Sequence, residues 1–111
     1  MPLFMASIKF SAGSSKAIVE KPHDRLPPAK AALEAAGCTL KEYYFALGPA
    51  DVIVIYEAPD ALTATSVSMM LGASGASSSV ETMQLFTSRE GMTAMTKANQ
   101  IQKTYKPPTS A

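Results

Sequence analysis

Asp51 is the acidic residue whose position most invites a chemical role. It follows the Gly48–Pro49 turn and precedes five consecutive apolar residues, in the stretch LGPADVIVIYEAPD. A carboxylate there acts as a general acid or base if its pKa is shifted and a substrate reaches it. It holds the turn instead if it accepts hydrogen bonds from backbone N–H groups, as Asp commonly does in turns. We expect the turn role for Asp51, with catalysis as the alternative.

Lys9 is a charged residue within the first predicted strand, Leu3 to Phe10, and is the second candidate for a chemical role. Strand alternation puts Lys9 on the same face as Ser7, opposite the face that carries Phe4 and Ile8. In an enclosed space such a lysine binds an anion or acts with a lowered pKa. Near the edge of a sheet its ammonium group simply reaches water. The sequence leaves both alternatives open.

Several polar and aromatic side chains are predicted to share a space with Lys9. A few polar groups in an apolar enclosure are typical of a small-molecule pocket, and an ordinary half-wet interface between subunits has the same composition. The predicted ligand-binding residues are Ser7, Lys9, Tyr43, Tyr44, Tyr56 and Gln84. Which face each tyrosine occupies is not determined by the sequence.

The remaining reactive residues favour neither a metal site nor a second catalytic site. His23 is the only histidine and lies in KPHDR, between a proline and charged residues, so we expect an exposed loop side chain. Cys38 is the only cysteine, so it cannot form an internal disulfide, and zinc would need further ligands of these types. The stretch GASGASSS lacks the lysine of a phosphate-binding loop and is predicted to be a flexible loop over residues 72–79. We expect no metal and no cofactor.

Composition excludes several classes of protein. The 111 residues fit one domain, predicted over residues 1–105, followed by a flexible tail over 106–111. The net charge is +1 without a basic run, which argues against nucleic-acid binding. No apolar stretch approaches the roughly 20 residues that span a bilayer, and MPLFMASIKF lacks the basic start of an export signal. We therefore expect a cytoplasmic protein that does not bind membranes.

The order of predicted elements is β-α-β-β-α-β with a last helix. The predicted strands span 3–10, 38–46, 51–57 and 80–86, and the predicted helices span 16–20, 29–36 and about 60–71, with the last helix starting at a capping box in Thr87–Glu90. Right-handed crossovers place the connecting helices on one side of the sheet. The sequence therefore predicts a ferredoxin-like α+β sandwich.

The third predicted strand carries the inference about assembly. Val52 to Tyr56 is apolar on both faces, which is typical of a central strand that is covered on both sides. The helices cover one side, and leaving two or three such side chains in water forgoes roughly 1.5–3 kcal/mol each. We expect a second copy of the chain to cover the other side, sheet to sheet. The alternative is that the last helix or the tail folds across it.

Three segments together resemble the GYD domain family of small bacterial proteins: IKFSAGSSKAI, LKEYYFALGPADVIVIYEAPD and LGASGASSSVETMQLFT. The resemblance runs from Leu3 to about Met95. The Gly-x-Tyr-Asp turn of the family reads Gly48-Pro49-Ala50-Asp51 here, so Gly48 and Asp51 carry over and the tyrosine is replaced by alanine. The resemblance implies a dimeric α/β barrel and assigns no reaction. The wider fold group includes cofactor-free monooxygenases, lactone isomerases and haem-binding enzymes, which is analogy of fold alone.

The leading hypothesis is a protein without assigned catalysis that forms a homodimeric α/β barrel, or a higher homo-oligomer, and binds a small molecule between its sheets. One alternative is a cofactor-independent monooxygenase or isomerase acting on a small carbonyl or aromatic compound. Lys9, Tyr43 or Tyr44, and Asp51 would then orient the substrate and move protons. Another alternative is a pure oligomeric assembly module.

Overall fold

A computed structural model describes residues 1–110 of the chain. The elements are β1 (Leu3–Phe10), α1 (Ala12–Glu20), α2 (Leu26–Ala35), β2 (Thr39–Phe45), β3 (Val52–Glu57), α3 (Ala61–Ala73), β4 (Ser77–Leu85), α4 (Ser88–Gln102) and a short 3-10 helix at Pro108–Ser110. The mixed architecture confirms the predicted ferredoxin-like α+β fold.

The strands form an antiparallel sheet in the order β2-β3-β1-β4. The central position predicted for β3, next to β1, is therefore confirmed. β2 and β4 are the two edges of the sheet. The helices α2 and α3 pack on one face of the sheet. We call this face the helix-side face and the other the open face.

The core lies between the helix-side face and the helices. Alternate residues of the central strands are buried there: Phe4, Ala6 and Ile8 from β1, and Val52, Val54 and Tyr56 from β3. α3 contributes Ala64 and Val67, as the helical spacing predicts, and α2 contributes Leu33. The period of two in the strands thus selects one face of each for the core.

The helix starts follow local capping chemistry. Asp60 caps α3, because its side chain accepts a hydrogen bond from the backbone N–H of Thr63 at 2.8 Å. Thr87 caps α4 in a complete capping box with Glu90, which confirms that prediction. The predicted turn at residues 16–20 is longer than expected, because Ser11 caps a helix that begins at Ala12.

The flexible loop predicted over residues 72–79 is wrong. α3 continues to Ala73 and β4 begins at Ser77. Small polar side chains close the short connection: the hydroxyl of Ser74 donates to the carbonyl of Leu71 at 2.7 Å and accepts from the N–H of Ala76 at 3.2 Å. Serine-rich composition indicates flexibility only where such groups have no structural partner to bind.

α4 extends away from the rest of the molecule. The chain measures 60 × 30 × 23 Å with a radius of gyration of 18.1 Å, whereas a compact chain of this length has a radius of about 13 Å. α4 contains no buried residue within the described part of the chain. It therefore does not fold across the open face of its own sheet. The flexible tail over 106–111 stays a prediction, and Ala111 lies outside the described residues.

Candidate functional site

The predicted ligand-binding residues divide between the two faces of the sheet. Residues paired across antiparallel strands share a face. Ser7 pairs with Ile53, which pairs with Tyr44, so these three lie on the open face. Lys9 lies on the open face as well, opposite Ser79. Of the six predicted ligand-binding residues, the fold thus places only Ser7, Lys9 and Tyr44 on the open face.

The other predicted ligand-binding residues lie on the helix-side face. Tyr56 and Gln84 both pair with the buried Phe4, and Tyr43 pairs with the buried Val54. β2 carries a register shift between residues 40 and 42. A one-residue bulge reverses the alternation beyond it, which puts Tyr43 rather than Tyr44 on the helix side.

Asp51 joins the ends of three strands. Its Oδ2 accepts a hydrogen bond from the backbone N–H of Phe10 at 2.9 Å, and its own N–H donates to the carbonyl of Ile8 at 2.8 Å. Its carbonyl accepts from the N–H of Ala46 at 2.9 Å. The backbone hydrogen bond from Phe10, helped by the Lys9 ammonium, holds the pKa of the Asp51 carboxyl below its ordinary value. This carboxylate therefore stays ionised and serves as a structural acceptor.

The turn before Asp51 depends on glycine for its backbone conformation. Gly48 has φ = +147°, a region that side-chain-bearing residues rarely adopt. A Cβ at this position would meet no neighbouring atom within 4 Å among the described residues. The requirement for glycine at residue 48 is therefore due to the backbone conformation and not to a lack of space. Pro49 then continues the turn towards Asp51.

Lys9 lies at the end of the open face, where its side chain is 48% exposed. Its ammonium nitrogen is 3.4 Å from Oδ1 of Asp51. This geometry matches the alternative in which the lysine reaches water at the sheet edge. The two candidates for catalysis thus contact each other, as an exposed ion pair that positions the strand ends.

A cavity of about 270 Å³ lies between the helix-side face, α2 and α3. Its floor is formed by Ala6, Ile8 and Val54 of the sheet, and most of its lining is apolar. Tyr43 and Tyr56 line it too, and Arg25 and Ser74 lie among its few polar residues. A cavity that is mainly apolar and has a few polar groups matches the general description of a small-molecule site.

Arg25 and Tyr43 supply the distinctive polar groups of this cavity. Burial raises the pKa of the Tyr43 hydroxyl, an effect that the Arg25 charge partly opposes. Tyr43 is therefore a neutral hydrogen-bond donor at physiological pH. Arg25 forms no ion pair within residues 1–110. One of its guanidinium nitrogens is 3.0 Å from Nε2 of His23, whose Nδ1 lies 2.8 Å from the carbonyl of Lys21.

Those two contacts fix the tautomer of His23. Because the Lys21 carbonyl can only accept, the imidazole Nδ1 must donate, and Nε2 then accepts from Arg25. His23 is exposed, as predicted. It steadies the arginine at the edge of the cavity.

Tyr56 is a core residue with 1% of its surface exposed. Its ring stacks on Phe4 with the ring centroids 5.8 Å apart. Its hydroxyl has no hydrogen-bond partner among the described residues and is shielded from solvent. The pKa of this hydroxyl is raised, and burial is the main cause. Burial likewise raises the pKa of the Cys38 thiol, which keeps that cysteine protonated and unreactive.

The remaining two candidates lie outside the cavity. Gln84 lines two other clefts beside β4 instead, with volumes of about 380 and 590 Å³. The Tyr44 hydroxyl donates to Oε2 of Glu42 at 2.7 Å on the open face, a contact that raises the pKa of Tyr44.

Sequence reasoning missed Arg25 as a site residue. The segment KPHDR was interpreted only as an exposed loop that carries His23. The available signal was the Pro27–Pro28 pair, because prolines are favoured in the first turn of a helix. The pair therefore indicates that Arg25 lies at the start of a helix, and that helix covers the sheet.

Residues 1–110 contain neither a membrane-spanning helix nor a cluster of metal-ligating side chains. No helix there combines the length and the hydrophobicity required to cross a bilayer. No cluster of three or more His, Cys, Asp or Glu side chains there could hold a metal ion.

Comparison with known proteins supports the family resemblance. The family model described as GYD domain matches residues 4–95, which is most of the chain. A comparison with curated proteins finds no match.

Proposed function

The chain belongs to the GYD domain family, and we propose that it is a self-associating protein that binds a small, mainly apolar molecule carrying one anionic group. The ligand occupies the cavity between α2, α3 and the sheet. The observation that carries this proposal is the combination of an apolar lining with Arg25 and Tyr43 in that cavity.

The size of the cavity limits the ligand. A cavity of about 150 Å³ accommodates benzene, so the 270 Å³ found here suits a molecule somewhat larger than one aromatic ring. A nucleotide or a peptide would exceed it. The class that fits is a small aromatic or branched aliphatic acid.

The polar groups define the orientation of the ligand. A guanidinium group binds a carboxylate through two parallel hydrogen bonds, and Arg25 has no carboxylate partner within the described residues. The neutral Tyr43 hydroxyl adds a donor. The apolar part of the ligand then contacts Ala6, Ile8 and Val54 at the floor.

Binding fits the cavity better than the enzymatic alternative. General acid–base catalysis needs a group that changes protonation near the working pH. The pKa of Tyr43 is raised and that of Asp51 is lowered, both away from neutrality. Asp51 also lies outside the cavity lining.

The self-association part of the proposal rests on the open face. Met5, Ile53 and Ile55 are only partly buried there, and Met83 is 46% exposed beside them. The protein's own helices pack on the opposite face. Apolar surface of this extent on a small chain commonly marks an interface.

Ligand binding is tested with phenylacetate and 2-phenylethanol, a pair that differs by the carboxylate, in ¹H–¹⁵N NMR titrations. We expect phenylacetate to shift the amides of residues lining the cavity. Arg25→Gln should weaken phenylacetate binding by at least about tenfold, because it removes a charge-assisted hydrogen bond, and should affect 2-phenylethanol much less.

Two matched variants complete this test. Ala32 lines the cavity and Ala31 does not, so Ala32→Leu should block binding while Ala31→Leu preserves it. Lys9→Met should leave binding unchanged. If Lys9→Met abolished binding and the shifts clustered around Ser7 and Tyr44, the ligand would lie on the open face and the cavity proposal would be rejected.

A further inference from the structure

α4 has an amphipathic surface that nothing covers within the described residues. Its most apolar half, the apolar face of the helix, carries Met92, Ala94, Met95, Ala98 and Ile101, together with the polar side chains of Ser88, Asn99 and Gln102. Met95 is 70% exposed and Ile101 65% exposed. An amphipathic helix with its apolar half in water lacks the packing that normally stabilises helices.

The open face of the sheet is the other uncovered apolar surface. Its centre consists of Met5, Ile53 and Ile55, with Met83 on the adjoining edge strand. Two acidic residues flank this centre: Glu42 on β2 and Glu81 on β4, at opposite edges of the sheet.

The two surfaces match in size. A helix of 15 residues is about 22 Å long and about 10 Å wide. The eight residues of β1 span about 26 Å, and four strands are about 14 Å across. One α4 helix therefore covers the central strands and leaves both edges accessible to side chains at its borders.

The charges of the two surfaces are complementary. Residues 88–110 carry four basic side chains and one acidic, a formal charge of +3, whereas residues 1–87 carry six basic and eight acidic, a formal charge of −2. At 100° per residue, Lys97 borders one side of the apolar face of α4 and Lys103 borders the other. Neither Glu42 nor Glu81 forms an ion pair within residues 1–110.

We propose that α4 of one copy packs on the open face of a second copy, reciprocally, as an exchanged arm. The apolar face of α4 covers Met5, Ile53 and Ile55 of the partner. Lys97 and Lys103 lie at its two borders, within reach of Glu42 and Glu81. The inference rests on the self-association part of the proposed function and specifies which surface of the partner covers the open face.

The connection between β4 and α4 favours exchange over folding back. Only Phe86 and Thr87 separate the two elements. Thr87 is fixed by the capping box, in which its N–H donates to Glu90 at 2.8 Å and its hydroxyl accepts from the Glu90 N–H at 3.1 Å. A short, constrained connection favours exchange between copies.

Electrostatics also favours the arm over a sheet-to-sheet contact. Two open faces packed together would bring the Glu42 and Glu81 carboxylates of both copies into one interface, whereas Lys9 on the same face is already paired with Asp51. Like charges desolvated together are unfavourable. The basic borders of α4 neutralise the same carboxylates.

The inference is tested on the full chain by sedimentation equilibrium, with Met95→Glu compared with Thr93→Glu. Met95 lies on the apolar face and Thr93 on the polar face of α4, and both variants add one negative charge. We expect Met95→Glu to raise the dimer dissociation constant by at least about tenfold and Thr93→Glu to leave it within about threefold. Circular dichroism checks that both variants fold.

A charge-reversal cycle tests the docking site itself. Lys97→Glu with Lys103→Glu should weaken the dimer, and adding Glu42→Lys with Glu81→Lys in the same chain should restore it. Failure to restore would overturn the proposed docking site. If Met95→Glu behaved like Thr93→Glu while Ile55→Glu abolished the dimer, the arm would be wrong and self-association would survive as a sheet-to-sheet contact. If the wild type were monomeric at micromolar concentration, both the exchanged arm and the sheet-to-sheet contact would be rejected.

Discussion

At the scale of single residues, Asp51 shows how a carboxylate in a functional-looking position can be structural. β1 changes register against β4 between Lys9 and Phe10, and the Asp51 side chain accepts the hydrogen bond of the Phe10 N–H there. An unpaired N–H at a strand irregularity is unfavourable. The carboxylate therefore supplies what the strand ladder lacks.

Asp51→Ala should lower the melting temperature at pH 7 by a few degrees, because the Phe10 N–H loses its acceptor. The folded-state pKa of Asp51 is depressed, so its stabilisation is present above the unfolded-state pKa of about 4. It is lost as the pH falls through the lower folded-state value. Calorimetry at a series of pH values should therefore show that the difference in melting temperature between Asp51→Ala and the wild type becomes smaller below pH 4.

Glu20→Ala is the control for this prediction. Its carboxylate is 62% exposed in a weak ion pair with Lys16, and such pairs contribute little. If Asp51→Ala lowered the melting temperature by the same amount at low pH, the lost contact would not depend on the negative charge of Asp51.

At the scale of elements, α4 is the helix that depends most on its own capping chemistry. It is 15 residues long, and an isolated helix of that length is marginally stable in water. Residues elsewhere in the described chain contribute no buried contact to it. The capping box at Thr87 and Glu90 is therefore a large part of what favours helix over coil in the monomer.

Thr87→Ala should reduce the helix content of α4, because losing an N-cap costs about 1 kcal/mol. Thr93→Ala removes a threonine from the helix interior, where alanine is the better helix former, so it should leave the content unchanged or raised. The measurement is circular dichroism at a concentration at which sedimentation shows the monomer, so that α4 is undocked. Equal helix content in the two variants would contradict the importance of the cap.

At the scale of the whole molecule, the sheet separates two apolar surfaces that lie on its opposite faces. The helix-side face encloses the core and the cavity with Arg25 and Tyr43. The open face, with Ile53 and Ile55, is the surface that we propose for a partner copy. The proposed ligand binding and the proposed self-association would then use opposite sides of one sheet, so a variant should affect one without the other.

Docking of the arm predicts a concentration-dependent pattern of amide hydrogen exchange. The amides of α4 should exchange rapidly at low concentration, since an undocked helix opens easily, and slowly at concentrations that favour the dimer. Mass-spectrometric exchange should show this protection arising in α4, whereas the Met5–Ser7 amides, which lie in the ladder between β3 and β4, should be protected at both concentrations. Rapid exchange of the α4 amides at concentrations that favour the dimer would contradict the exchanged arm.

The sequence by itself determined the features that depend on neighbouring residues. The apolar run from Val52 to Tyr56 predicted a central strand, the Thr87–Glu90 spacing predicted a helix start, and alternation in β1 separated Ser7 and Lys9 from the core. These outcomes follow from backbone periodicity and from hydrogen bonds within one turn of chain.

Only the tertiary structure decided which side chains share a site. One bulge in β2 reverses the faces of Tyr43 and Tyr44, and Asp51 finds its partner at Phe10, 41 residues away in the chain. Arg25 reaches the cavity because α2 packs on the sheet, and α4, which two residues join to β4, extends away from the rest of the molecule. Contacts between distant segments depend on how whole elements pack, and local patterns do not encode that packing.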